Sequence, residues 1–179
     1  HQRVRRPEVN RSRRTILGRQ ESETPMPRLV AVGEPAPDFT LRDQDGRTVT
    51  LSEVWSRGPL VLYFYPKDET PGCTAEACAF RDHYEVFSDA GARVIGVSSD
   101  DAASHRRFAD RHRLPFTLLA DPRGTMRAAY GVPRTLGLLD GRVTFVIDRS
   151  GRVRHVYTSQ LLATRHVSEA LKVLKDLAT

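Results

Sequence analysis

The spacing of apolar residues changes period repeatedly along this chain and divides it into short elements. Leu60-Val61-Leu62-Tyr63-Phe64-Tyr65 is an unbroken apolar run of strand length, the pattern of a central strand covered on both faces. Arg93-Val94-Ile95-Gly96-Val97 predicts a second buried strand, and its polar ending Ser98-Ser99-Asp100 caps a helix over Asp101–His112. Asp38–Leu41 and Thr48–Leu51 predict strands around the turn Asp43-Gln44-Asp45-Gly46, and Ser52–Trp55 a helical turn with Trp55 in the core. Phe116–Leu119 predicts a short strand, and Thr125–Tyr130 a short helix closed by Gly131. Val143–Ile147 and Arg152–Tyr157 alternate as a hairpin through Asp148-Arg149-Ser150-Gly151. Val167, Leu171, Val173, Leu174 and Leu177 give the last segment, Val167–Leu177, the apolar stripe of a closing helix.

Strands alternating with helices from Leu29 onward predict one α/β domain over residues 29–179, a mixed sheet flanked by helices. A domain of about 150 residues buries enough surface to stand without a metal or a disulfide. Residues 1–28 differ: eight arginines against three glutamates give +5 of the chain's formal +6 charge. With few apolar residues and no sustained period, this stretch is expected to be a disordered basic extension. The basic balance therefore belongs to the extension, and the domain offers no electrostatic case for nucleic acid. No apolar stretch is long enough for a membrane helix, and none has the form of a secretory signal. Met26 is a candidate native start; an arginine-rich organellar transit peptide is the competing reading.

The chemistry concentrates in Pro66-Lys67-Asp68-Glu69-Thr70-Pro71-Gly72-Cys73, between the Leu60–Tyr65 run and a helical segment from Cys73 to about Ser88. A thiol in the first turn of a helix meets unpaired N–H groups and the positive end of the helix dipole. Those favour thiolate, the form that attacks. Thr70 is expected to cap the helix within reach of the Cys73 amide and sulfur, with Pro71 at the first helical position. Gly72 keeps the approach to the sulfur open, and Pro66 walls it off from bulk water. An ordinary junction with a buried, inert cysteine is the alternative.

The pattern formed by Pro66, Thr70 and Cys73 resembles the active-site signature of the peroxiredoxins. The longer run from Tyr63 through Thr74, with Ala77-Cys78, is similar to the peroxiredoxin Q branch, also called bacterioferritin comigratory protein. Gly33-Glu34-Pro35-Ala36-Pro37-Asp38-Phe39, Gly131-Val132-Pro133 and Gly141 through Asp148 extend the resemblance over the whole domain. It implies a thioredoxin-like fold and a peroxidase that reduces hydrogen peroxide and organic hydroperoxides without metal or organic cofactor. By the same resemblance Cys73 is the attacking cysteine, oxidised to a sulfenic acid. Thr70 aligns the peroxide, Arg142 stabilises the thiolate and the departing oxygen, and Pro66 shields them. Many family members carry at the position of Glu76 a Glu that hydrogen-bonds the arginine, and this branch often has Gln there; a solvent-facing Glu is the alternative. Thioredoxin or a similar dithiol is the implied reductant, the implied state a monomer, and the expected location the cytoplasm, or an organelle if the extension is a transit peptide.

Cys78 is the candidate resolving cysteine. Five residues along a helix amount to about 140° of rotation and about 7.5 Å of rise. A disulfide needs Cα atoms within about 4.4–6.8 Å. A Cys73–Cys78 bond therefore requires the first turns of the helix to unwind and, after reduction, to re-form. An inert Cys78 would leave a one-cysteine peroxidase fed by an external thiol, and a redox-sensing or chaperone-like protein is the non-enzymatic alternative. Two cysteines five apart do not supply a structural zinc site, and no Cys-x-x-Cys pair is present. His105, His112, His155 and His166 are scattered and form no metal spacing or Cys–His pair. Tyr63 and Tyr65 are expected on opposite sides of their strand, one of them a candidate to line the peroxide pocket, with core packing the default role.

Overall fold

The computed structural model describes residues 28–135 and 139–178. The basic extension expected over residues 1–28 lies outside them, except for Arg28, whose guanidinium pairs with Glu34. In chain order the elements are β1 (Thr40–Arg42), β2 (Thr48–Thr50), α1 (Leu51–Trp55), β3 (Leu60–Phe64), α2 (Pro71–Asp82), α3 (Tyr84–Asp89), β4 (Arg93–Ser98) and α4 (Ala102–His112). They continue with β5 (Thr117–Ala120), α5 (Thr125–Ala129), β6 (Arg134–Thr135), β7 (Leu139–Asp140), β8 (Val143–Ile147), β9 (Val153–Thr158) and α6 (Arg165–Leu177).

Five strands form one mixed sheet in the order β5-β4-β3-β8-β9. β3 runs parallel to β4 and antiparallel to β8, so the Leu60–Phe64 run is the central strand, every residue of it buried. Its alternate residues feed two cores. Val61, Tyr63 and Tyr65 face one side with Cys73, Ala77 and Phe80 of α2, Phe108 of α4 and Leu174 of α6. Leu60, Leu62 and Phe64 face the other with Trp55 of α1, Met126 of α5 and Tyr130. Each large apolar side chain removed from water contributes about 1.5–3 kcal/mol, so both faces of β3 are held by packing rather than by its few ladder bonds.

Two expectations fail. Residues two apart on a strand share a face, and the rings of Tyr63 and Tyr65 lie 5.4 Å apart on the same side, contrary to the opposite-sides assignment. The helix expected from Cys73 to Ser88 is two helices, broken at His83, whose backbone leaves helical values (φ −103, ψ 9) and whose Nδ1 faces the Ala79 carbonyl at 2.9 Å. The break turns Phe87 fully into the core, where its ring lies 5.6 Å from Phe80. The short β6–β7 pair had no signature in the apolar pattern, because two-residue strands carry no period.

Candidate active site

The C-terminal end of the central strand delivers the chain into the site. After Phe64, Tyr65 and Pro66 stay buried, and the chain turns through Asp68 and Glu69 into α2. Glu69 has φ 63, a left-handed conformation that a non-glycine residue holds only where its surroundings fix it. The surroundings are explicit. The Asp68 N–H donates to Asp100 Oδ2 at 2.8 Å, and Asp68 Oδ2 lies 2.8 Å from His105 Nδ1. Tyr65 donates to Asp68 Oδ1 at 2.5 Å and Ser104 to Oδ2 at 2.8 Å. His105 Nε2 faces the Leu119 carbonyl at 3.0 Å; a carbonyl can only accept, so that nitrogen carries a hydrogen. Asp68, Asp100 and His105 bring three ligand-type atoms within 4.8 Å of one another, and each already has its hydrogen-bond partner. This knot fixes the loop before Cys73.

Cys73 lies in the first turn of α2, 1% exposed. The expected cap does not form. Thr70 is the N-cap residue, but its hydroxyl donates to the Lys67 carbonyl at 2.8 Å, and no side chain caps the helix. The hydroxyl is drawn toward the loop and its oxygen accepts from none of the first-turn N–H groups, which have no intrahelical partner and so stay uncovered. Gly72 matters for a different reason than openness alone: a Cβ there would sit 3.1 Å from Arg142 Nη2, so its absence lets the guanidinium reach the sulfur.

Arg142 enters from the segment leading into β8. Its Nη2 is 3.4 Å from Cys73 Sγ and its Nη1 donates to Glu76 Oε1 at 2.7 Å. Cys73 and Glu76 are three residues apart on α2 and therefore share a face. Glu76 is wholly buried, so the solvent-facing reading of this residue is wrong. Burial pushes its carboxyl up to about 8, although Arg142 pulls it the other way. For Arg142 burial works downward, yet the charges of Glu76 and Cys73 outweigh it and hold the guanidinium above its ordinary range. Arg127, unremarked in the sequence, staples the two approaches to the site together, donating to the Tyr65 carbonyl and to the Gly141 carbonyl, each at 2.9 Å.

Behind Glu76 stands His166 of α6, also fully buried. Its Nδ1 is 2.8 Å from Thr144 Oγ1 and its Nε2 2.9 Å from the Ser159 carbonyl. Burial pushes His166 down to about 4, with the charge of Arg142 adding to it and the Ser159 carbonyl opposing. The ring is therefore neutral at pH 7, with its hydrogen on Nε2. Three buried polar atoms lack a hydrogen-bond partner here: Tyr63 Oη, Glu76 Oε2 and Arg142 Nε.

The structure thus brings Pro66, Thr70, Cys73 and Arg142 to one junction. Cys78, five residues along α2 and half-buried, lies on a different face, and both cysteines are free thiols. Sequence reasoning missed Asp68, His105, Arg127 and His166. The only available sign was a polar residue on an otherwise apolar helix face, which holds for His105 and His166.

The chain matches the AhpC/TSA family over residues 32–156. It is 55% identical over 149 residues to peroxiredoxin Q, chloroplastic, of Oryza sativa subsp. japonica, covering 83% of this chain and 68% of that protein. With peroxiredoxin Q, chloroplastic, of Arabidopsis thaliana it shares 54% identity over 144 residues, 80% of this chain and 66% of that one. Among solved structures it resembles peroxidoxin BcpB from Mycobacterium tuberculosis, with TM-score 0.77 and 40% identity over 82% of this chain and 97% of that one. The bacterioferritin comigratory protein of Xanthomonas campestris aligns with TM-score 0.72 and 31% identity, over 79% and 92%.

Proposed function

Because the chain belongs to the AhpC/TSA family and is a peroxiredoxin, a thiol-dependent peroxidase on a thioredoxin-like fold, we propose that Cys73 is its attacking sulfur and Cys78 the cysteine that resolves it. The observation that carries this is the approach of Arg142 Nη2 to Cys73 Sγ, 3.4 Å apart and both buried at a helix start. There a thiolate has a fixed cation and helix-end N–H groups beside it.

The Cys73 thiolate attacks the terminal oxygen of R–O–O–H. The S–O bond forms as the O–O bond breaks, leaving Cys73–S–OH and an alkoxide that takes up a proton as ROH. Charge grows on the departing oxygen, and Arg142 with the first-turn N–H groups of α2 is preorganised to receive it. Pro66 excludes water, and Thr70, whose hydroxyl hydrogen is engaged by Lys67, offers its oxygen to the peroxide O–H. The Cys78 thiolate then attacks the Cys73 sulfur, forming the disulfide as the S–O bond breaks and the departing hydroxide takes up a proton from solvent to leave as water.

Both cysteines lie in the continuous helix Pro71–Asp82, so this second step requires the first turns of α2 to open. An outside dithiol closes the cycle. Peroxiredoxins act on peroxides and are reduced by thioredoxin-like partners; for this chain we assign thioredoxin or a similar dithiol protein, acting on a monomer. The plant relatives are chloroplastic by name, which supports an organellar location over the cytoplasmic one. The deciding experiment oxidises the reduced protein with one equivalent of hydrogen peroxide and digests it without reductant. A linked Cys73–Cys78 peptide is expected; a free Cys78 thiol beside an oxidised Cys73 would make this a one-cysteine peroxidase.

A further inference from the structure

The groups behind Arg142 do more than hold it still. Glu76 carries a carboxyl group with one oxygen on Arg142 Nη1 and the other, Oε2, without a hydrogen-bond partner in a fully buried setting. Oε2 lies 3.7 Å from His166 Nδ1. His166 is anchored from both sides, by Thr144 of β8 and by the Ser159 carbonyl, with the Tyr157 ring of β9 packed edge-on at 4.7 Å. The other titratable group facing Glu76 from the sheet is Tyr63 of β3, whose hydroxyl burial holds neutral far above its ordinary range. Cys73 on α2 and Arg142 complete the charged surroundings.

The charge balance of this enclosure has two states. With Glu76 ionised and His166 neutral, Glu76 cancels Arg142, and a Cys73 thiolate is the one uncompensated charge in a buried space. With Glu76 protonated and His166 neutral, the guanidinium is left to balance the sulfur. Uncompensated buried charge is expensive, so the second arrangement is the one in which attack is favoured.

We propose that Glu76, its outer oxygen walled in by the neutral His166 ring, holds one buried proton behind Arg142, and that this proton sets the charge the guanidinium presents to Cys73 and to the departing peroxide oxygen. Glu76 and His166 are on this account positioning residues, acting on the reaction through Arg142. The elevated carboxyl of Glu76, pushed up to about 8, agrees with a proton held there at neutral pH. The inference rests on the assignment of Cys73 and Arg142 made above.

The test is the second-order rate of Cys73 oxidation by hydrogen peroxide, followed between about pH 6 and about pH 10, a window that brackets ordinary thiols and a raised carboxyl. In the wild-type protein the rate should fall as pH rises through about 8, by roughly tenfold or more, since Arg142 then meets an ionised Glu76. Glu76→Gln, which cannot ionise, should remove the fall. His166→Asn places an amide that can donate to Glu76 Oε2, which favours the carboxylate and should move the fall to lower pH. An infrared titration of the reduced wild-type protein reads the same proton directly. A protonated-carboxyl C=O band should be present at pH 7, vanish over the pH range of the rate loss, and be missing in Glu76→Gln. A wild-type rate that stays level through this range, or a neutral-pH spectrum lacking that band, overturns the proposal even if a variant fails to fold. A Cys73 inert to peroxide at every pH would instead overturn the assignment on which it rests.

Discussion

Two buried polar knots flank the strand-to-helix junction, and they are built on opposite principles. On the α4 side, every polar atom described for Asp68 and His105 is engaged: the carboxylate meets Tyr65, Ser104 and His105, and the imidazole spans Asp68 and Leu119. On the α6 side, Glu76 Oε2, Arg142 Nε and Tyr63 Oη are buried without hydrogen bonds, and the Glu76 carboxyl is forced far from its usual range. A saturated network rigidifies; an unsaturated one stores an electrostatic tension that a reaction can relieve. Cys73 sits between them, its loop fixed by the first knot and its sulfur facing a member of the second. A buried cluster of charge is therefore no guide to chemistry by itself. What distinguishes the reactive cluster is the polar capacity left unused.

The comparison breaks most sharply at the sulfur. Cys73→Ser should abolish peroxide reduction, measured by dithiol-coupled consumption, whereas Cys78→Ser should keep the first oxidation within about twofold, since Cys78 touches neither knot. Equal loss of the first oxidation in both variants would end the division of labour. Next in size, Arg142→Met should slow Cys73 oxidation by about 10²–10³-fold, the usual cost of deleting a preorganised charge stabiliser. An unchanged rate would remove Arg142 from the site. The largest effect on stability, with a modest one on catalysis, belongs to the saturated knot. His105→Leu leaves Asp68 buried without its imidazole partner and should cost about 3–5 kcal/mol in denaturant unfolding, with the oxidation rate per folded molecule changed less than about tenfold. A His105 variant as stable as wild type would show that the two knots do not differ as described.

His166 adds a pH dependence to the second knot's stability. Its folded-state value, depressed to about 4, lies below the unfolded value of about 6.5. Its contribution is therefore complete above that unfolded value and is lost as pH falls through the folded one.

Much of this was legible in one dimension. The apolar run at Leu60–Phe64 had to be a strand covered on both sides, because no amphipathic period divides it, and it became the centre of the sheet. Pro66, Thr70, Cys73 and Arg142 were named from residue type and position, and all meet at one junction. Other features were out of reach. The break at His83 depends on how Phe87 packs on Phe80, and the failed Thr70 cap depends on a Lys67 carbonyl oriented by the loop. His105 and His166 read only as scattered histidines, 37 residues from Asp68 and 22 from Thr144 along the chain.

The order of residues determined which groups were available and which elements would carry them, because strand and helix periods and a thiol at a helix start are local properties. The tertiary structure alone decided which polar groups lost their water and which found partners in exchange. Desolvation depends on what packs from elsewhere in the chain. It made Glu76, indistinguishable in sequence from a solvent-facing helical glutamate, a buried acid beside the arginine that reaches the sulfur.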